Sequence, residues 1–151
     1  MIETTKPLFI LVAEDDTQTQ LSLDVTLRRA GHQTLLAVSA DALLNMIDRM
    51  PIAQRKRIDL LVTDINMPGT KGGQLIRALD TRGLFLPVVV ITAYGTTALE
   101  GEFAARGAVS LLSKPFRPEA LVGMVEKTYT EFKTACIDGE AVKTAKGGVC
   151  P

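Results

Sequence analysis

Glu14, Asp15, Asp64, Thr92 and Lys114 are the reactive side chains of this sequence, and each stands where an apolar run gives way to polar residues. Asp64 closes Leu60-Leu61-Val62-Thr63 and is followed by Ile65-Asn66-Met67-Pro68-Gly69; Thr92 closes Val88-Val89-Val90-Ile91. Short runs of this composition read as buried strands. The polar residues therefore fall at the carboxyl edge of a sheet, where open α/β sheets place their ligands. Consecutive acids there are costly unless positive charge neutralises them. Glu14, Asp15 and Asp64 form an oxygen-only donor set suited to Mg²⁺, which keeps several waters and takes one or two carboxylates. With a hydroxyl from Thr92 and an ammonium from Lys114, the set suits an acyl-phosphate centre on Asp64. Mg²⁺ and Lys114 would neutralise phosphoryl oxygens while Thr92 donates a hydrogen bond to one of them. Asp16 reads more simply, as a helix cap.

The elements that must carry these residues alternate in type, the pattern of a parallel α/β sheet. Strands are predicted at Phe9–Val12, Gln33–Ala37, Leu60–Thr63, Val88–Ile91 and Val109–Leu112. Helices are predicted at about 18–30, 40–50, 72–80, 97–106 and 117–133. Right-handed crossovers then favour a doubly wound sheet with helices on both faces. Thr17 with Gln20 can form a capping box, or Asp16 can cap directly, and Gly31 is placed to end the first helix. Within that helix Leu21, Leu23, Val25 and Leu27 alternate like a strand, yet the cap and the Arg28-Arg29-Ala30-Gly31 ending favour helix. Leu23, Leu27 and Ala30 then share one stripe. Leu21 and Val25 fall on nearly the opposite side, to be covered by neighbouring loops or to form a partner surface.

With 151 residues, the chain is sized for one domain. Its composition, 46% hydrophobic and 23% charged, is that of a globular protein, and it has no apolar stretch of membrane-spanning length. The amino terminus lacks the apolar core of a signal peptide, which predicts a cytoplasmic protein. Seventeen basic and 17 acidic residues give zero formal charge, which argues against direct nucleic-acid binding through a basic face. Residues 51–57 read as a basic surface connection, and 134–151 as a flexible tail or linker remnant after a domain at 8–133. Cys136 and Cys150 have neither metal-ligand spacing nor a nearby histidine and read as bystanders.

The sequence resembles the receiver domain of bacterial two-component response regulators over residues 8–133. The resemblance is carried by Glu14-Asp15, by Asp64 with Met67-Pro68-Gly69, by Thr92-Ala93 and by Lys114-Pro115-Phe116. It implies a flavodoxin-like α/β fold, a doubly wound five-stranded parallel sheet of order 2-1-3-4-5 with five helices. It also implies phosphorylation of Asp64 by a histidine kinase or histidine phosphotransfer protein. Asp15 would bind Mg²⁺ directly, Glu14 through water and Asn66 through its backbone carbonyl. Thr92 and Lys114 would hold the phosphoryl group and report it to the face made by the fourth helix, fifth strand and fifth helix, a surface that also suits a homodimer. The interval from Asp15 to Asp64 is long for the family, which residues 51–57 account for. Leu111 stands where the family usually carries an aromatic that follows the threonine. Tyr94 lies where the family tunes water access, and its bulk is expected to prolong the phosphoryl group's life.

Two other functions compete. A haloacid-dehalogenase-type phosphohydrolase also uses an Asp nucleophile with Mg²⁺, but the residue two past Asp64 is Asn66, which cannot transfer a proton. A receiver-fold interaction module that is never phosphorylated would not need the complete set of acids, Thr and Lys. The expectation is a phosphoryl-accepting signalling domain, not an enzyme.

Overall fold

In the computed structural model of the chain, residues 6–65, 67, 72–93 and 109–137 are described. Five strands, β1 (Phe9–Ala13), β2 (Gln33–Ala37), β3 (Leu60–Asp64), β4 (Val88–Thr92) and β5 (Val109–Ser113), form one sheet of order β2-β1-β3-β4-β5. Every pairing is parallel, with Leu11 opposite both Leu35 and Leu61, and Val90 opposite Leu111. The helices are α1 (Thr17–Arg29), α2 (Ala40–Asp48), the single turn α3 (Ile52–Arg55), α4 (Gly72–Thr81) and α5 (Pro118–Ile137). The helix predicted over 97–106 lies outside the described residues, as do Asn66, Pro68, Gly69 and Tyr94.

Strand alternation divides the core between the two faces. Ile10, Val12, Leu60, Val62, Val89 and Ile91 pack with Leu23 and Leu27 of α1 and with Leu121 and Val125 of α5. Their neighbours Leu11, Leu61, Val88 and Val90 pack with Leu43 and Ile47 of α2 and with Leu75 and Leu79 of α4. Both faces of β3 and β4 are covered, so all five residues of each are buried. That is why these strands read as continuous apolar runs instead of alternating ones.

Helix ends follow local chemistry. Asp16 caps α1 by accepting from the Thr19 N–H, and Ser39 caps α2 by accepting from the Ala42 N–H. The capping box with Gln20 is not used. Gly31 (φ 96°) and Gly83 (φ 77°) end α1 and α4 in the left-handed region. At each, the next residue's N–H reaches back into the helix: His32 to the Leu27 carbonyl, Leu84 to the Leu79 carbonyl.

Four sequence expectations are corrected. Ala30 is exposed as the C-cap of α1 instead of extending its buried stripe; Leu21 and Val25, which the sequence left either covered by loops or presented as a partner surface, are exposed, 61% and 39%. The basic connection at 51–57 contains α3, whose Arg55 donates to the Met50 and Asp48 carbonyls. The last helix continues past 133 to Ile137, since Ala135 and Cys136 extend the half-buried stripe beyond Phe132. Cys136 is disulfide-bonded instead of a bystander thiol. Among the described residues no helix is long and apolar enough to cross a membrane.

Candidate functional site

The strands end one residue later than predicted at β3 and β4, so Asp64 and Thr92 are themselves the last strand residues. Parallel pairing brings those ends together. Asp64 lies opposite Ile91, Thr92 lies opposite Ser113, and the Lys114 N–H donates to the Thr92 carbonyl at 2.8 Å. On the other side of Asp64, the chain leaves β1 through Glu14, whose N–H donates to the Ala37 carbonyl of β2 at 3.0 Å.

Three carboxylates meet at this edge. Glu14, Asp15 and Asp64 each present an oxygen within 4.8 Å of the others'. Glu14 is fully buried and Asp64 is 7% exposed, while Asp15 faces solvent. The Lys114 ammonium reaches across the edge, with Nζ 2.8 Å from Asp64 Oδ2 and 3.2 Å from Glu14 Oε1. The peptide bond between Lys114 and Pro115 is cis, an option the Lys-Pro pair allowed. Thr92 is buried at the end of β4.

The electrostatics identify what the cluster is short of. Burial, then the hydrogen bond to Asp64 and its negative charge, push the Glu14 carboxyl up to about 7, although Lys114 opposes them. For Lys114, burial alone would lower the ammonium, but its bonds to Asp64 and Glu14 raise it overall. Glu14 Oε2 has no hydrogen-bond partner among the described residues. One ammonium shared between two of three clustered acids leaves negative charge and a buried oxygen uncompensated. An oxygen-only donor set with an orphaned carboxylate oxygen fits a hard divalent cation such as Mg²⁺. Asp16 takes no part. It accepts from the Thr19 N–H and hydroxyl, which hold its carboxyl below the usual range.

One residue of this site escaped the sequence reading. The Gln20 side-chain amide donates to the Glu14 carbonyl at 3.2 Å and to the Ala37 carbonyl at 3.0 Å. It thereby ties the loop carrying Glu14 and Asp15 to the end of β2. Leu111 is half-buried and packs against the core on the α2 and α4 face.

An open doubly wound sheet with an acid cluster, a hydroxyl and a lysine at its carboxyl edge defines a receiver-type site. Residues 10–126 match the response regulator receiver domain, and the chain belongs to that family of two-component signalling proteins. The response regulator protein FleR of Pseudomonas aeruginosa is 36% identical over 118 residues, covering 78% of this chain and 24% of FleR. The C4-dicarboxylate transport transcriptional regulatory protein DctD of the same organism is 38% identical over 135 residues, covering 86% of this chain and 29% of DctD. The chain thus spans less than a third of either regulator. Among solved structures, chemotaxis protein CheY4 of Vibrio cholerae superimposes with a TM-score of 0.70 at 26% identity, covering 81% of this chain and 98% of CheY4.

Proposed function

We infer that Asp64 accepts a phosphoryl group from a phosphohistidine on a histidine kinase or phosphotransfer protein. The observation that carries this reading is the Lys114 ammonium 2.8 Å from Asp64 Oδ2, in a site whose three acids converge within 4.8 Å. An Asp64 oxygen attacks phosphorus as the N–P bond of a donor ring protonated on its other nitrogen breaks; the bond's electron pair stays on the ring, leaving an acyl phosphate on Asp64 and a neutral imidazole on the donor. Asp15, Asp64 and the Asn66 carbonyl, with Glu14 acting through water, would hold Mg²⁺, which would supply positive charge to the phosphoryl oxygens. Lys114 holds a phosphoryl oxygen with the ammonium that otherwise pairs with Asp64, and Thr92 donates its hydroxyl to another. Asn66, two residues past Asp64, cannot transfer a proton, which favours an acceptor over a turnover hydrolase. We place the protein in the cytoplasm, with a receiver body beginning near residue 8. The phosphorylated state would act, or pair with a second copy, through the region 97–106, β5 and α5.

Intact-mass spectrometry after incubation with acetyl phosphate and Mg²⁺ tests the reading. The wild type gains one phosphoryl group and Asp64→Asn gains none. Sustained phosphate release from a phosphate monoester would instead identify a hydrolase.

A further inference from the structure

At the opposite, amino edge of the sheet lies a cavity of about 530 Å³ between α3, the entries to β3 and β4, and the carboxyl end of α5. Its volume falls in the range of small-molecule sites. Ile58, Leu84, Phe85, Tyr129 and Phe132 give it an apolar wall. The charges around it are mostly of one sign: Arg55, Lys56, Arg82 and Lys133 against Asp59 alone. Asp59 is spoken for, since its Oδ2 accepts from the Phe9 N–H at 2.9 Å. Arg82 is held by both oxygens of Asp48, and Arg55 by main-chain carbonyls. Lys56 and Lys133 form no ion pair among the described residues, and Lys133 Nζ stands 5.7 Å from the centre of the Tyr129 ring. In a chain of zero formal charge, this is a local surplus of cations set beside aromatic and aliphatic surface.

We propose that this cavity binds a small amphipathic carboxylate, its apolar body against Phe85, Tyr129 and Phe132 and its carboxylate between Lys56 and Lys133. The apolar wall favours a ligand with an apolar body, and the surplus of cations at its rim favours one that carries negative charge. The cavity lies at the far ends of the strands that carry the acid cluster, so this proposal does not rest on phosphorylation of Asp64.

Octanoate is the probe, titrated into the protein and followed through backbone amide shifts, with octanol as the uncharged control. Saturable shifts are expected at residues 52–59, 82–86 and 129–133, with octanol at least about tenfold weaker. Lys56→Glu with Lys133→Glu, both at exposed positions, should weaken octanoate by a similar factor of about ten or more. Arg29→Glu with Arg77→Glu, an equal charge change elsewhere, should leave its affinity unchanged. Absence of saturable binding, equal affinity for octanol, or insensitivity to the Lys56/Lys133 pair would each overturn the proposal. So would lining shifts that ignore octanoate and respond only to removal of residues 138–151, because the chain's own end would then be the occupant.

Discussion

Glu14 is fully buried, lies beside a second acid, and has one oxygen unpartnered among the described residues. Its position depends on Gln20, which reaches from α1 to the Glu14 and Ala37 carbonyls. A group that orients metal-binding residues from behind typically matters about 10–100-fold in affinity. Gln20→Ala should therefore weaken Mg²⁺ by about tenfold, read from Mg²⁺-dependent amide shifts of Glu14 and Asp15. Unchanged affinity would show that the loop holds itself. Glu14, Asp15, Asp64, Thr92 and Lys114 were legible in the sequence because each is a polar exception at the end of an apolar run. Gln20 was not, since its partners are two main-chain carbonyls, one just past β1 and one at the end of β2, which side-chain pattern does not reveal.

At the scale of elements, His32 joins three of them. It follows α1, its Nδ1 accepts from the Leu8 N–H just before β1 at 3.0 Å, and its Nε2 lies 3.8 Å from Glu126 on α5. Burial lowers its pKa from the usual 6.5, against the opposing charges of Glu126 and Asp59. With Nδ1 accepting, the neutral ring carries its proton on Nε2, and a second proton would break the bond to Leu8. The unfolded chain therefore binds that proton more readily than the folded one. The stabilisation is complete above pH 6.5 and is lost as pH falls from there toward the lower folded-state value. His32→Ala leaves the Leu8 N–H without its acceptor and should cost about 1–3 kcal/mol at pH 8. In paired urea titrations the deficit should shrink below pH 6.5; a pH-independent deficit would mean His32 acts by packing alone. The strands were readable to within a residue because two covered faces leave unbroken apolar runs. The turn α3 was not, as four residues are too few to show a helical period. The extension of α5 was readable in principle, for Ala135 and Cys136 continue the spacing from Phe132.

For the whole molecule, the sheet order sets both edges and leaves α1 beside the acid cluster with Leu21 and Val25 facing outward. Amphipathic periodicity indicated that these two residues oppose the buried stripe; only packing could tell whether a loop covers them. Uncovered apolar side chains on the helix that follows Glu14 and Asp15 would suit a docking surface for the proposed phosphodonor protein. Leu21→Asp with Val25→Asp should slow transfer from that protein while sparing phosphorylation by acetyl phosphate. Stability should stay within about 0.5 kcal/mol per substitution, as for surface positions generally. Equal loss with both donors would indicate damage to the fold instead.

Asp64 itself is proposed to carry the phosphoryl group. Borohydride reduces an aspartyl phosphate to homoserine, so peptide mass spectrometry after acetyl phosphate, Mg²⁺ and borohydride reports the modified residue directly. Homoserine is expected at position 64 alone, dependent on Mg²⁺. Homoserine at Asp15 or Asp16, or none at position 64 despite phosphate incorporation, would contradict it.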